Sequence, residues 1–190
     1  MQSMLKGLWA VPLTAKLGLV VVMAYLVVAV FAPVIAPYSE AEILGASYEL
    51  WSDKYPLGTD SLGRDMLSRL IFGARNTIGI ALAAVILAFL VGGATGMLAA
   101  ILGGWYDTII SRIVDILMAI PSLVFALLIL TILGTSIPIL ILVIAVLDCT
   151  RVYRITRAAA MNVVVLEYVE VARLRGEGLW WVIRKEILPN

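Results

Sequence analysis

The sequence predicts an all-α integral membrane protein, a polytopic bundle of four transmembrane helices, and two observations carry that prediction. Of its 190 residues, 63% are hydrophobic and only 14 are Lys or Arg and 13 Asp or Glu. An ordinary soluble domain is about half apolar and about a quarter charged. The few charges are bunched, leaving runs of 20, 31 and 32 residues (17–36, 76–106 and 116–147) without a charged side chain. A helix crossing the hydrocarbon needs about 20 such residues.

Composition also excludes functions. A net charge of +1 lacks the basic surplus of a nucleic-acid partner. The chain has no histidine, which removes His-dependent metal sites and His general bases. Its single cysteine, Cys149, forms no internal disulfide. No Gly-x-x-x-x-Gly-Lys-[Ser/Thr] phosphate loop, His-Glu-x-x-His or Gly-x-Ser-x-Gly string occurs, so neither P-loop ATP hydrolysis nor a recognisable hydrolase site resides here. No cofactor or metal is expected.

Along the chain, Lys6 and Lys16 precede the apolar run Leu17–Ala36, about 30 Å long as a helix and the expected first span. The run exceeds the 7–15 residues of a signal-peptide core, and Pro33 and Pro37 are expected to close it. Residues 38–75 form an acidic connection on the outer face. Within it Met66, Leu67, Leu70 and Ile71 share one side of a predicted interfacial helix at 65–75. A second span is expected over about 77–101. Its Gly92, Gly93 and Gly96 suit close helix contact, and Gly103-Gly104 a turn. Asp107, Arg112 and Asp115 mark a polar connection. The run 116–147 is too long for one crossing, and Gly134-Thr135-Ser136-Ile137-Pro138 divides it into spans near 113–133 and 137–153. Residues 158–166 are too short to cross again. Placing the N-terminus, the 103–115 turn and the tail from 151 on one side puts ten bases there and four opposite, an N-inside topology by the positive-inside rule.

The acids and bases near membrane boundaries have structural readings. Asp60, Arg64 and Asp65 offer too few oxygen ligands for Ca²⁺ or Mg²⁺, and Thr59, Asp60 or Ser61 is expected to cap a helix instead. Asp115 pairs with Arg112 and Asp148 with Arg151 on spacing. Arg151, Arg154 and Arg157 are expected to set orientation and meet lipid headgroups, and Gly92-xxx-Gly96 to pack helices.

The tail, Tyr168 to Asn190, reads helix–glycine–helix. Val169, Ala172 and Gly176 fall at i, i+3 and i+7, a small-residue face a partner could approach, while Glu170 and Arg173 can pair one turn apart. Gly176 and Gly178 would end that helix, and Pro189 would stop the second apolar face or open a new helix. Glu170-Val171-Ala172, Gly176 and Leu188-Pro189 match in spacing the cytoplasmic "EAA" loop of bacterial ATP-binding-cassette importer permeases, which the segment resembles.

Leu57-Gly58-Thr59-Asp60-Ser61-Leu62-Gly63-Arg64-Asp65, Gly103-Gly104-Trp105-Tyr106-Asp107 with Arg112, Asp115 and Ala119-Ile120-Pro121, and Arg154 with Arg157 are similar to strings of the peptide and nickel branch of that family, in the subunit with an extended N-terminal segment. Glu186, Arg175 and Val163-Val164-Val165 depart from its pattern.

This resemblance implies a permease of the bacterial inner membrane, with segment 1–75 carrying the first helix and external connection, and core 76–190 carrying the remaining helices and the coupling loop 167–190. It implies Glu170, Ala172, Arg173, Gly176, Leu188 and Pro189 as the loop on which an ATPase acts. The implied partners are ATP-binding-cassette ATPase subunits, a second permease subunit, an extracytoplasmic solute-binding protein and membrane lipid, with peptides or nickel complexes as cargo. Family members continue through two more helices after Leu-Pro, so a C-terminally shortened permease is expected. Two other readings stay open on sequence: an ion-coupled secondary carrier, and a permease fragment without function.

Overall fold

The computed structural model describes residues 12–189. Lys6, part of the expected basic N-terminal flank, and Asn190 lie outside the described residues. The fold class is helical, as expected: among the described residues the only strand-like pairings are two isolated bridges, Ile43 with Arg64 and Thr59 with Asp65. The chain divides into two compact units, Met1–Gly79 and Ile80–Asn190.

In the first unit, helix α1 spans Leu13–Ile35. Pro33 does not close it but sits in its last turn, and the helix ends where Ala36 turns extended (ψ 129°) ahead of Pro37, whose ring disfavours helical backbone in the residue before it. Helix α2, Met66–Ala88, is capped by Asp65, not by Thr59, Asp60 or Ser61. The Asp65 carboxylate accepts the Ser68 N–H at 2.8 Å and the Ser68 hydroxyl at 2.7 Å, satisfying donors a helix start leaves open. Thr59 stabilises the preceding loop instead, accepting from the Glu49 N–H at 2.8 Å and donating to the Ala46 carbonyl at 2.7 Å.

The expected interfacial helix is not separate, because nothing interrupts the apolar pattern at Arg75. A single helical rod of 37 residues covers Met66–Leu102. It contains a π-helical turn at Phe89–Gly93, followed by α3, Ala94–Leu102. Gly103 and Gly104, at φ 57° and 56°, make the expected turn, a conformation costly for a residue with a Cβ.

The region after this turn differs from expectation. Asp107, Arg112 and Asp115 lie inside a helix, α4, Gly104–Ala119, and the span predicted at 113–133 is broken. Ile120 is extended ahead of Pro121, and α5, Ser122–Leu133, leaves at 89° to α4. A proline without an N–H and its restricted neighbour account for the break. Gly134 (φ 90°) separates α5 from α6, as expected, but α6 runs over 28 residues, Ile137–Val164, well past the predicted end near 153. Its charges have partners within the fold, described below, and so do not terminate it.

Two helices, Leu13–Ile35 and Met66–Leu102, are long and apolar enough to cross a membrane, and a third arises if α4 and α5 form one bent span. The expected fourth, α6, carries Asp148, Arg151 and Arg154 within its first 18 residues, too many charges for an unaided crossing.

The core of the second unit is the contact of α6 with α3 and the π turn. Gly92 and Gly96 face α6 across a gap too small for a side chain. A Cβ on Gly92 would lie 2.6 Å from the Cys149 carbonyl oxygen, and one on Gly96 2.7 Å from that of Tyr153. Small residues permit such backbone approach between helices in lipid. Gly93, between them, has nothing within 4 Å of its Cβ position. Gly92→Ala and Gly96→Ala should therefore each destabilise by about 1–3 kcal/mol through overpacking. Gly93→Ala should be neutral or stabilising by up to about 1 kcal/mol through helix propensity. Thermal unfolding of the three variants in one detergent checks this ordering.

Candidate functional site

The segment after α6 folds back on the helix ends. Helix α7, Glu167–Leu174, is followed by α8, Leu179–Val182, and a π-helical turn, Ile183–Ile187. Val169, Ala172, Val182 and Ile187 join Ala160 of α6 in a buried cluster, with Met97, Ala100 and Ile101 of α3 packed against it. The small face at Val169 and Ala172 is therefore not offered to a partner. Both side chains are under 5% exposed, because the segment covers apolar helix ends that would otherwise meet water. Val163 and Val164, which depart from the family string, pack on the same cluster.

Of the other expected loop residues, Glu170, Arg173, Gly176, Leu188 and Pro189 are exposed. The spacing-based Glu170–Arg173 pair is not among the ion pairs of the described residues. Arg173 instead donates to the Ile101 carbonyl at 3.4 Å, tying α7 to the end of α3. Gly176, at φ 78°, closes α7 by a Schellman arrangement. Its own N–H donates to the Arg173 carbonyl and the Glu177 N–H to that of Ala172, satisfying carbonyls that a helix end leaves open. The outer surface carries Leu174 and Trp180, 81% and 72% exposed, which spacing did not single out.

A polar network joins α4 to α6. Arg157 grips Asp107 with a two-pronged contact, its Nε donating to Oδ1 and Nη2 to Oδ2. Tyr153, 2% exposed, hydrogen-bonds Ser111 at 2.9 Å and donates to Asp107 at 3.5 Å. One turn away, Arg154 pairs with Asp115. Asp115 thus finds a partner on α6 and not Arg112, and Arg154 and Arg157 are held by carboxylates where lipid headgroups were expected. The Asp148–Arg151 pair forms as expected, at 3.4 Å. Forked Arg–carboxylate contacts fix geometry as well as charge, so this network sets how α4 lies on α6. A polar cavity of about 400 Å³ opens beside it, lined by Ser111, Asp115, Tyr153, Arg154 and Arg157.

In the connection between α1 and α2, Asp60 is the hub. Its carboxylate accepts the Leu62 and Arg64 N–H groups at 2.8 and 2.9 Å and pairs with the side chains of Arg64 and Arg69. The Arg64 N–H foremost, then its guanidinium and the Leu62 N–H, hold this carboxyl well below the usual carboxylate range, burial opposing them.

Residues 92–190 match the family described as "binding-protein-dependent transport system inner membrane component". The dipeptide transport system permease protein DppC of Haemophilus influenzae is 36% identical over 93% of this chain and 62% of its own length. The probable D,D-dipeptide transport system permease protein DdpC of Escherichia coli is 34% identical over 98% of this chain and 62% of its own. The oligopeptide transport system permease protein OppC of Bacillus subtilis is 33% identical over 93% and 58%. The chain thus spans about three fifths of the length of these curated relatives.

A carboxylate with a depressed pKa stabilises fully above its unfolded value and loses that contribution as pH falls through and below it. The connecting loop should therefore resist limited proteolysis from pH 7 down to about pH 5 and weaken only under stronger acid. Asp60→Asn should be cleaved already at pH 7, and equal protection of variant and parent there would contradict the hub role.

Proposed function

Because the chain belongs to the family of binding-protein-dependent transport system inner membrane components, we propose that it acts as a membrane-spanning permease subunit of an ATP-driven importer of peptides. That family is a permease component and not itself an enzyme, so ATP hydrolysis falls to separate ATPase subunits. A second permease subunit completes the path, and an extracytoplasmic solute-binding protein delivers cargo, with the N-terminus on the cytoplasmic side. Nickel complexes are a further cargo class, suggested by the sequence motifs alone.

The observation that carries this reading is the rooting of the segment 167–188. Its outer side presents Glu170, Arg173, Leu174, Gly176 and Trp180, while its inner side shares a core with Ala160 of α6 and Met97, Ala100 and Ile101 of α3. A push on the outside by a closing ATPase displaces this close-packed cluster as a body. Arg173, bonded to the Ile101 carbonyl, adds a polar tie to α3. The displacement reaches α6, and through Arg157–Asp107 and Arg154–Asp115 reaches α4. Such a lever would switch the path between two accessible states. Leu188 and Pro189 finish the segment. A secondary carrier would leave this exposed, firmly rooted segment without a role.

Gly176→Arg should lower co-capture of the ATPase from membranes by about tenfold, equivalent to about 1.4 kcal/mol, without loss of membrane insertion. Gly176→Asn, which tolerates the left-handed cap, should retain most of it. Uptake of labelled dipeptide by the assembled importer should require ATP and be blocked by vanadate. Equal capture by Gly176→Arg and parent would refute the docking role, and ATP-independent uptake would refute the importer.

A further inference from the structure

The connection between α1 and α2 carries a surface that its own fold does not use. At its tip Tyr48, Leu50 and Trp51 are 74%, 85% and 78% exposed, and Leu50 is the most exposed large apolar side chain among the described residues. Single surface leucines are ordinary, but large apolar side chains gathered on a charged loop mark a place that something covers.

The tip is held in one conformation. The Glu49 N–H donates to Thr59 Oγ1 at 2.8 Å, and the Glu49 carbonyl accepts the Thr59 N–H at 3.1 Å. On one side, the Tyr48 N–H donates to the Asp60 carbonyl at 3.1 Å and the Ser47 hydroxyl to the Ser61 carbonyl at 2.9 Å. On the other, the Ser52 N–H donates to the carbonyl of the buried Tyr55 at 3.0 Å. These bonds keep Tyr48 at φ 57°, a left-handed backbone that is costly for a residue with a bulky side chain. Such strain persists only where the surroundings over-determine it, and it clusters at functional surfaces.

Charge decides what kind of partner fits. Residues 38–65 hold six acids and two bases. Glu40, Glu42 and Asp53 are exposed and belong to no ion pair among the described residues. Lys54 lies over the Tyr55 ring, 4.9 Å from its centroid, and does not cancel them. An anionic lipid surface repels such a loop, whereas a protein with a basic rim is drawn to it. Trp and Tyr are also enriched among the residues that anchor protein interfaces, and an anchor fixed before binding has less ordering entropy to lose.

We propose that Tyr48, Leu50 and Trp51 form a preformed docking point for a separate protein that offers an apolar pocket rimmed by Lys and Arg, and that this protein is the extracytoplasmic solute-binding protein. The partner's identity rests on the importer reading above, which puts this connection on the outer side; the docking point does not. Glu40, Glu42 and Asp53 steer the arriving partner, and the apolar tip holds it.

The test measures binding of the purified solute-binding protein to the assembled importer in nanodiscs of zwitterionic lipid. Leu50→Ala with Trp51→Ala should weaken it about a hundredfold, equivalent to about 2.7 kcal/mol, chiefly through faster release. Glu42→Lys with Asp53→Lys should slow association about tenfold at low salt, and the difference should fade at high salt. Parent-like resistance of these variants to limited proteolysis at pH 7 shows that the loop keeps its fold. Parent-like affinity in the Leu50→Ala, Trp51→Ala variant would overturn the proposal. So would loss of the second permease subunit from that variant on purification, which would mean that this subunit covers the patch. Quenching by brominated lipid of a fluorescence component missing in Trp51→Phe would assign the patch to the bilayer and overturn it equally. ATP-independent uptake by a parent that still binds the solute-binding protein through this tip would instead count against the importer reading and leave the docking point standing.

Discussion

The second unit depends on one constraint: the backbones of the π turn and α3 must approach α6 closely enough that Gly92 and Gly96 touch its carbonyls. In lipid there is no water to drive apolar helices together, so contact is won by packing at short range. The π turn adds a residue to one helical turn, and it is this turn, together with the start of α3, that meets α6. With the contact in place, Tyr153 is buried against Ala99 and Val114, and its hydroxyl meets Ser111 on α4. The polar network is thus a second consequence of the same approach.

That network has a different physical character from the apolar contact. Asp107 sits in the first turn of α4, where the helix dipole already favours negative charge, and the forked Arg157 contact adds direction. Asp115 and Arg154 repeat the link two turns along α4. Two charge pairs on one helix pair resist rotation as well as separation. The apolar cluster beneath 167–188 holds the same helices at their ends without directional bonds. A surface segment, two helix ends and a polar clamp are therefore joined by apolar and directional contacts at once.

Much of the architecture was legible in the sequence, and the misreadings share a cause. Charge-free runs mark α1 and the part of the rod beyond Arg75, and Gly103-Gly104 and Gly134 mark the turns that follow. Periodicity and local spacing see only neighbours, however. Spacing pairs Asp115 with Arg112, three residues away, whereas its partner lies 39 residues away; Asp107 and Arg157 are 50 apart. Charges in a sequence suggest the ends of membrane helices, which shortens the expected α6 and turns the first half of α4 into a connection. Partners elsewhere in the fold let those charges stay helical. Pro121 was visible in the sequence but was read as part of a family string and not as a break. In the tail, the small-residue face that spacing offers to a partner turns inward at Val169 and Ala172, because a small-residue face serves an internal contact as well as an external one.

The 89° bend at Ile120–Pro121 has a mechanical consequence. Pro121 has no N–H to bridge the break, so the corner between α4 and α5 resists twisting less than an unbroken rod would. An axial thrust on α4 arrives broadside at α5, turning a small slide beside one membrane face into a sideways swing of an apolar strut.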